Sequence, residues 1–204
     1  MHIAITGNIG AGKTTLAQLL SAHYGWEVLY EAVEGNPYLA DFYADMERWS
    51  FNLQIYFLNS RFEQVRTIRE SGLSIIQDRT IYEDAYIFAA NLYRSGNMTE
   101  RDYLTYRSLF DNIVNTVKAP DLMIYLQAGI PKLMAQIRKR GRSFEQSIDE
   151  EYLNNLNKLY EEFSEAYKGD NLLIINVDSL DYNANKSDLL SIIQQVDERL
   201  AVSL

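Results

Sequence analysis

Apolar residues fall along the chain in two rhythms. Short, nearly unbroken runs occupy 2–6 ("HIAIT"), 27–30, 73–77, 121–126 and 172–177. Runs of this length suit strands buried on both faces. Between them lie longer segments, 13–23, 49–69, 81–94, 100–118, 130–139, 149–168 and 184–200, where apolar residues recur every third or fourth position. That spacing predicts amphipathic helices. Two stripes are especially clear: Tyr103, Tyr106, Phe110, Ile113 and Val117, and then Leu153, Leu156, Tyr160, Phe163 and Tyr167. Both are read as core. Alternating strand and helix predicts an α/β fold, a five-stranded parallel sheet flanked by helices on both faces.

Length changes this picture little, since 204 residues suit a single domain spanning 1–204. Composition excludes more. The absence of cysteine removes disulfides, thiolate catalysis and zinc–thiolate sites, and only two histidines, His2 and His23, are present. A net charge of −9 argues against a nucleic acid polymer as partner. No apolar span suits a membrane, and the first strand begins too early for a signal-like segment, so a cytoplasmic protein is expected. With 12% aromatic residues and several richly apolar helices, a helix-mediated homodimer is expected as well. Positive charge concentrates in one place, Arg138-Lys139-Arg140-Gly141-Arg142.

The first chemistry-bearing motif follows the first strand. Gly7-Asn8-Ile9-Gly10-Ala11-Gly12-Lys13-Thr14 satisfies G-x-x-x-x-G-K-[ST], and a helical pattern begins directly after it. Glycines let such a loop wrap phosphate oxygens with backbone N–H groups, and the helix N-terminus adds a favourable dipole. Lys13 would reach the β/γ-phosphates of ATP, Thr14 would ligate Mg²⁺, and Thr15 continues the cradle. An acceptor site should sit nearby, beyond the carboxyl ends of the other strands. Glu31 follows "WEVLY", and Asp78-Arg79 follows "LSIIQ". A carboxylate that takes a hydroxyl proton and cations that meet spreading charge are what phosphoryl transfer uses. The basic run of "IRKRGRSFEQ" predicts an arginine-bearing lid at about 138–147.

Taken together, "GNIGAGKTT", "YEAVEGNPYL", "LQIYFLNSRF", "QDRTIYEDAYIF" and "IRKRGRSFEQ" resemble the deoxynucleoside kinases of the deoxycytidine/deoxyguanosine/deoxyadenosine type, and most of all their short bacterial members. The resemblance runs over essentially the whole chain. It implies a P-loop kinase that moves the ATP γ-phosphoryl to the 5′-hydroxyl of a deoxynucleoside in nucleoside salvage. It also implies roles. Glu31 matches the general base, Arg79 the arginine of an Asp/Glu-Arg-Ser motif, and Asp78 its acidic partner on the Mg²⁺ side. Tyr43 and Glu145 match the pair holding the sugar 3′-OH. Gln54 matches the residue on the base edge, Phe88 the ring that stacks on it, and Arg140 and Arg142 the lid arginines. The chain departs from the family pattern in three places: Thr80 replaces serine, Glu31-Ala32-Val33 replaces Glu-Pro-Val, and Asn36 stands where many relatives carry tryptophan. Phe57 is expected to supply part of the missing stacking.

Helical spacing agrees, because Gln54, Phe57 and Arg61 share one face of a helix and Asp84, Phe88 and Leu92 share a face of the next. Ionised Asp84 accepts and Arg61 donates, which favours bases carrying an exocyclic amino group. Deoxyadenosine is therefore the expected best substrate, deoxycytidine and deoxyguanosine are accepted, and thymidine is poor. The alternatives are a nucleoside monophosphate kinase of the thymidylate-kinase type and a non-catalytic ATP switch. Glu31 beside the transferred group favours a neutral hydroxyl acceptor over a phosphate.

Overall fold

Ile3, Ala4 and Ile5 are all fully buried, so both faces of β1 (His2–Gly7) are covered. The structure, a computed structural model, describes residues 1–31, 35–142, 145, 148–167 and 171–202. Around β1 run β2 (Glu27–Leu29), β3 (Ile75–Asp78), β4 (Leu122–Gln127) and β5 (Leu172–Asn176). Their order is β2-β3-β1-β4-β5, and every pairing is parallel. The expected five-stranded parallel sheet is therefore present. The chain builds to one side of β1 and then crosses to the other, which opens a crevice at the carboxyl ends of the strands. In register, Ile5 pairs with Asp78 on β3, and Gly7 pairs with Leu126 on β4.

The helices are α1 (Lys13–Tyr24), α2 (Leu39–Ala44), α3 (Met46–Ser71), α4 (residues 81–94), α5 (Glu100–Val114), α6 (Ile130–Arg140), α7 (Glu150–Ala166) and α8 (Lys186–Val202). Their ends have local causes. Asp45, Thr99 and Asp149 cap α3, α5 and α7 by accepting from the amides of Arg48, Asp102 and Tyr152. Gly141 ends α6 with a φ of +66°, a left-handed conformation that costs glycine little.

Three elements depart from the sequence reading. Helix α2 was not anticipated, because six residues carry too little periodicity to stand out. Helix α5 stops at Val114 rather than 118; the Asn115 side chain donates back to Asp111 O, and tighter turns follow before Pro120. Helix α4 is not uniform. An α turn, Ile81–Glu83, leads into a π-helical segment, Asp84–Ala89, and then an α turn, Ala90–Arg94. The π segment packs against α3, α5 and α7, and such wide turns recur at functional sites.

Candidate active site

Lys13 is buried at the base of the glycine loop, with Nζ donating to Gly7 O at 2.7 Å and Asn8 O at 2.9 Å. Burial first, and then the Arg79 guanidinium, push its pKa down to about 7. A Cβ at Gly10 would lie 2.7 Å from Leu133 O, so the loop can pass α6 only with glycine there. The Asn8 side chain ties the loop to α7, donating to Leu153 O and Asn157 Oδ1 and accepting from Ile9 N. Gly10, Ala11, Gly12, Lys13, Thr14 and Thr15 line a cleft of about 740 Å³. Ile9 faces a second, smaller cavity of about 70 Å³.

Thr14 Oγ1 donates to Asp78 Oδ2 at 2.5 Å. The other oxygen, Oδ1, is buried and has no hydrogen-bond partner. Burial raises the Asp78 pKa and Glu31 adds to that, with Lys13 opposing. A hydroxyl beside an unsatisfied carboxylate fits a hard divalent cation that takes its remaining oxygens from phosphate and water.

Next to Asp78 the backbone turns sharply. Arg79 has a φ of +72°, the only non-glycine residue with positive φ among the described residues. For such a residue the left-handed region costs roughly 1–2 kcal/mol. The turn is fixed by Arg79 N donating to Ile5 O, and it brings Nε within 2.7 Å of Glu31 Oε1. Arg61 reaches the same Glu31 oxygen with Nη2 at 3.3 Å. Burial alone would raise the Glu31 pKa, but Arg79, Arg61 and Lys13 together outweigh it and hold the carboxyl at about 2. Glu31 is therefore ionised at neutral pH.

The smaller cavity lies between α2, α3, α4 and the start of α7. Tyr43, Gln54, Phe57, Asp84, Phe88 and Glu145 all line it. Gln54 Oε1 and Asp84 Oδ2 are buried without a hydrogen-bond partner. Because unsatisfied buried polar atoms are costly, these two mark where a polar ligand edge would be bound. Burial pushes the Asp84 pKa up to about 7, Arg61 opposes the shift, and Glu83 and Glu31 add to it. Phe88 carries the Arg79 guanidinium 4.8 Å from its ring centroid. Phe57 stands on the cavity wall, whereas Asn36 forms a local turn by accepting from Tyr38 N.

Arg61 requires a correction. It is not part of either cavity wall. Its Nε lies 3.6 Å from Asp84 Oδ2, and Nη1 donates to Asp78 O, so it supports Asp84 and Glu31 from behind. Its spacing on α3 put it on the correct face, but one turn past the opening. Ala32, where the family carries proline, lies outside the described residues, as do 143, 144, 146 and 147 of the expected lid. The two lid arginines are described, and both hold Glu145: Arg140 Nη2 at 2.6 Å and Arg142 Nη1 at 3.4 Å.

Sequence reasoning missed two residues. Glu83, fully buried, accepts from Thr80 N, Arg79 Nη1 and Gly7 N, and it completes a capping box with Thr80. The spacing of Thr80 and Glu83 was the available signal. Tyr160, read as core, does stack on Tyr125. Its hydroxyl, however, sits 2.6 Å from Glu83 Oε1 and 2.9 Å from Gly7 O, and accepts from Arg79 Nη1 at 3.2 Å. Nothing in a helical stripe distinguishes a tyrosine whose ring is core and whose hydroxyl is not.

Both cavities share Glu31, Arg79, Arg140 and Arg142. The phosphate-loop cleft and the smaller cavity therefore meet at one carboxylate and three guanidinium groups. The family profile described as "Deoxynucleoside kinase" matches residues 3–201. A deoxyadenosine/deoxycytidine kinase of Bacillus subtilis (strain 168) is 37% identical over 95% of this chain and 90% of its own length. The deoxyguanosine kinase of the same organism is 34% identical over 96% of each chain. The solved structure of a deoxyadenosine kinase from M. mycoides, bound to the products dCMP and a flexible dCDP, superposes with a TM-score of 0.87 at 35% identity. It covers 97% of this chain and 100% of its own.

Proposed function

The chain belongs to the deoxynucleoside kinase family, and from that premise we propose how its two cavities divide the reaction. The protein is an ATP-dependent kinase that transfers a phosphoryl group to a deoxynucleoside. The larger cleft takes ATP, with its phosphates on Gly7–Thr15. The smaller cavity takes the deoxynucleoside, with its base between Phe57 and Phe88, its polar edge on Gln54 and Asp84, and its 3′-OH on Tyr43 and Glu145. The observation that carries this reading is the shared boundary, where Glu31 meets Arg79, Arg140 and Arg142.

Glu31 accepts a hydrogen bond from the 5′-hydroxyl and aims it at the γ-phosphorus. Its low pKa keeps it ionised, and it gains basicity as ATP phosphates draw Arg79 and Lys13 away from it. In a loose phosphoryl-transfer transition state the hydroxyl proton leaves late, so orientation counts for as much as basicity. Arg79 meets the equatorial oxygens from one side and Arg140 and Arg142 from the lid side. Mg²⁺ would be held by Thr14 and Asp78, where it neutralises charge on the β- and γ-phosphates when bound. Residues 1–204 act as one domain in this scheme.

The experiment is a panel of deoxynucleosides with ATP. We expect deoxyadenosine to give the highest kcat/KM and thymidine to be at least about tenfold worse, because thymine offers no amino group to Asp84. A preference for thymidine would overturn the pocket assignment.

The Asp84 pKa adds a pH signature. Below about 7 the carboxyl is neutral and donates; above it the carboxylate only accepts. The preference for deoxyadenosine over thymidine should therefore weaken from pH 8 to pH 6 and strengthen in the other direction. A ratio that stays flat across that range would remove Asp84 from base selection.

Two further readings belong here. Tyr86, Tyr93, Leu104 and Leu109 are exposed on α4 and α5, which suits a helix-mediated homodimer. A monomer mass in solution would exclude it. No helix among the described residues is long and apolar enough to cross a membrane. We place the enzyme in the cytoplasm, where ATP is available, a placement that fractionation of cells checks.

A further inference from the structure

One wall of the larger cleft is a loop, Leu180, Asp181, Tyr182 and Asn183. It follows β5 and lies beside the phosphate loop. Tyr182 Oη is 3.1 Å from Gly12 O and 3.3 Å from Ala11 O. The two loops are so close that a Cβ at Gly12 would collide with that hydroxyl.

Loops of this kind need external support, since their own backbone groups have few partners. Here the support comes from the first turn of α6. Lys132 Nζ donates to Val177 O at 2.6 Å, to Leu180 O at 2.5 Å and to Asp178 O at 3.3 Å. Asp178 returns the contact, with Oδ1 accepting from Gly129 N at 2.7 Å. The far end of the loop is held as well, by Asp181 N donating to Asp188 Oδ2 at 2.8 Å.

We propose that Lys132 is a positioning residue for the phosphate donor: it sets the Leu180–Asn183 wall against the part of ATP beyond the phosphates. An ammonium group has three donors and no acceptor. All three are taken by carbonyls, so Lys132 lines the cleft without a proton left for phosphate. This separates it from Lys13, which belongs to the glycine loop. Lys132 also sits on the helix that ends in Arg140, so one rigid element holds the donor wall at its start and one lid arginine, Arg140, at its end.

This inference rests on the larger cleft being the ATP site, and Lys13→Ala tests that separately. It should abolish binding of both ATP and inorganic tripolyphosphate, and undiminished binding of both would overturn the cleft assignment whatever Lys132 does. For Lys132 itself the test is Lys132→Met, which keeps stem length and removes the donors. KM for ATP should rise about tenfold, in line with the loss of charged hydrogen bonds. The deoxynucleoside KM, kcat and the inhibition constant of tripolyphosphate against ATP should stay within about twofold. Lys132→Arg, which can still donate to several carbonyls, should recover most of the ATP affinity. Asp178→Ala should reproduce the pattern more weakly, and it serves in place of Lys132→Met if that variant does not fold. An unchanged KM for ATP would overturn the proposal. So would equal weakening of tripolyphosphate, because Lys132 would then be a direct phosphate ligand.

Discussion

Glu31→Gln should lower kcat by roughly 10²–10⁴ while changing deoxynucleoside binding far less. The substitution keeps the shape of the side chain and its ability to accept one hydrogen bond. It removes the negative charge that Arg79 and Arg61 both face and that, in the proposed reaction, would take the 5′-hydroxyl proton. Two guanidinium groups, each almost completely buried, would then lack part of their counter-charge, so some loss of stability should accompany the loss of rate. The acid side of the stability profile gives an independent readout. A carboxyl held at about 2, against an ordinary value of 4.5, contributes stability above 4.5 that is lost as pH falls toward 2. In Glu31→Gln that contribution should be absent, and the variant should lose less on acidification than the wild type. Retention of kcat within about threefold would mean that the proton is taken elsewhere, and single-turnover kinetics with deoxyadenosine would show it.

The second large effect is expected at Arg79. Replacement by lysine should cost about 10²–10³ in kcat, the range for removing a preorganised donor to developing charge. The charge is preserved, so the cost would come from geometry. Arg79 spans Glu31 with Nε and Glu83 and Tyr160 with Nη1, and its guanidinium plane lies over Phe88. An ammonium is a compact point charge without the planar fork of a guanidinium, so it cannot hold Glu31, Glu83 and Tyr160 in one fixed geometry across the span that Arg79 covers. KM for ATP should change much less than kcat, since the phosphate loop and Lys13 remain. If Arg79→Lys raised KM for ATP tenfold and left kcat intact, Arg79 would be a ground-state anchor rather than a group that acts in the transition state. Tyr160→Phe offers a milder perturbation of the same cluster and should lower kcat several-fold, because Arg79 keeps both carboxylates.

Much of the candidate site is legible in the sequence because its residues occupy positions where local rules apply. The glycine loop is a contiguous motif between a strand and a helix. Glu31, Asp78 and Arg79 come directly after apolar runs, and in a parallel sheet all such positions point to one edge. Gln54, Phe57, Asp84 and Phe88 were found through helical spacing combined with family resemblance. Glu83 had a local signal in its spacing from Thr80, but the other misses turned on tertiary packing. Arg61 lies on the correct face of α3, but its depth depends on how α3 packs against α4 and reaches the end of β3. The π segment at Asp84–Ala89 leaves no mark in apolar periodicity, although it shifts the register within a helix that bears two site residues.

What the sequence alone determined is the order of elements, the parallel sheet and the phosphate loop. Each depends on patterns a few residues long, and short-range sterics and burial enforce those patterns wherever they occur. What only the tertiary structure decided is which charges share a space. Glu31, Arg61, Arg79, Asp84 and Glu83 come from three separated stretches of chain. Their mutual distances, and hence the Glu31 pKa near 2 and the Asp84 pKa near 7, follow from how β1, β3, α3 and α4 pack. Coulomb interactions and desolvation vary steeply with distance and burial, and neither quantity is written along the chain.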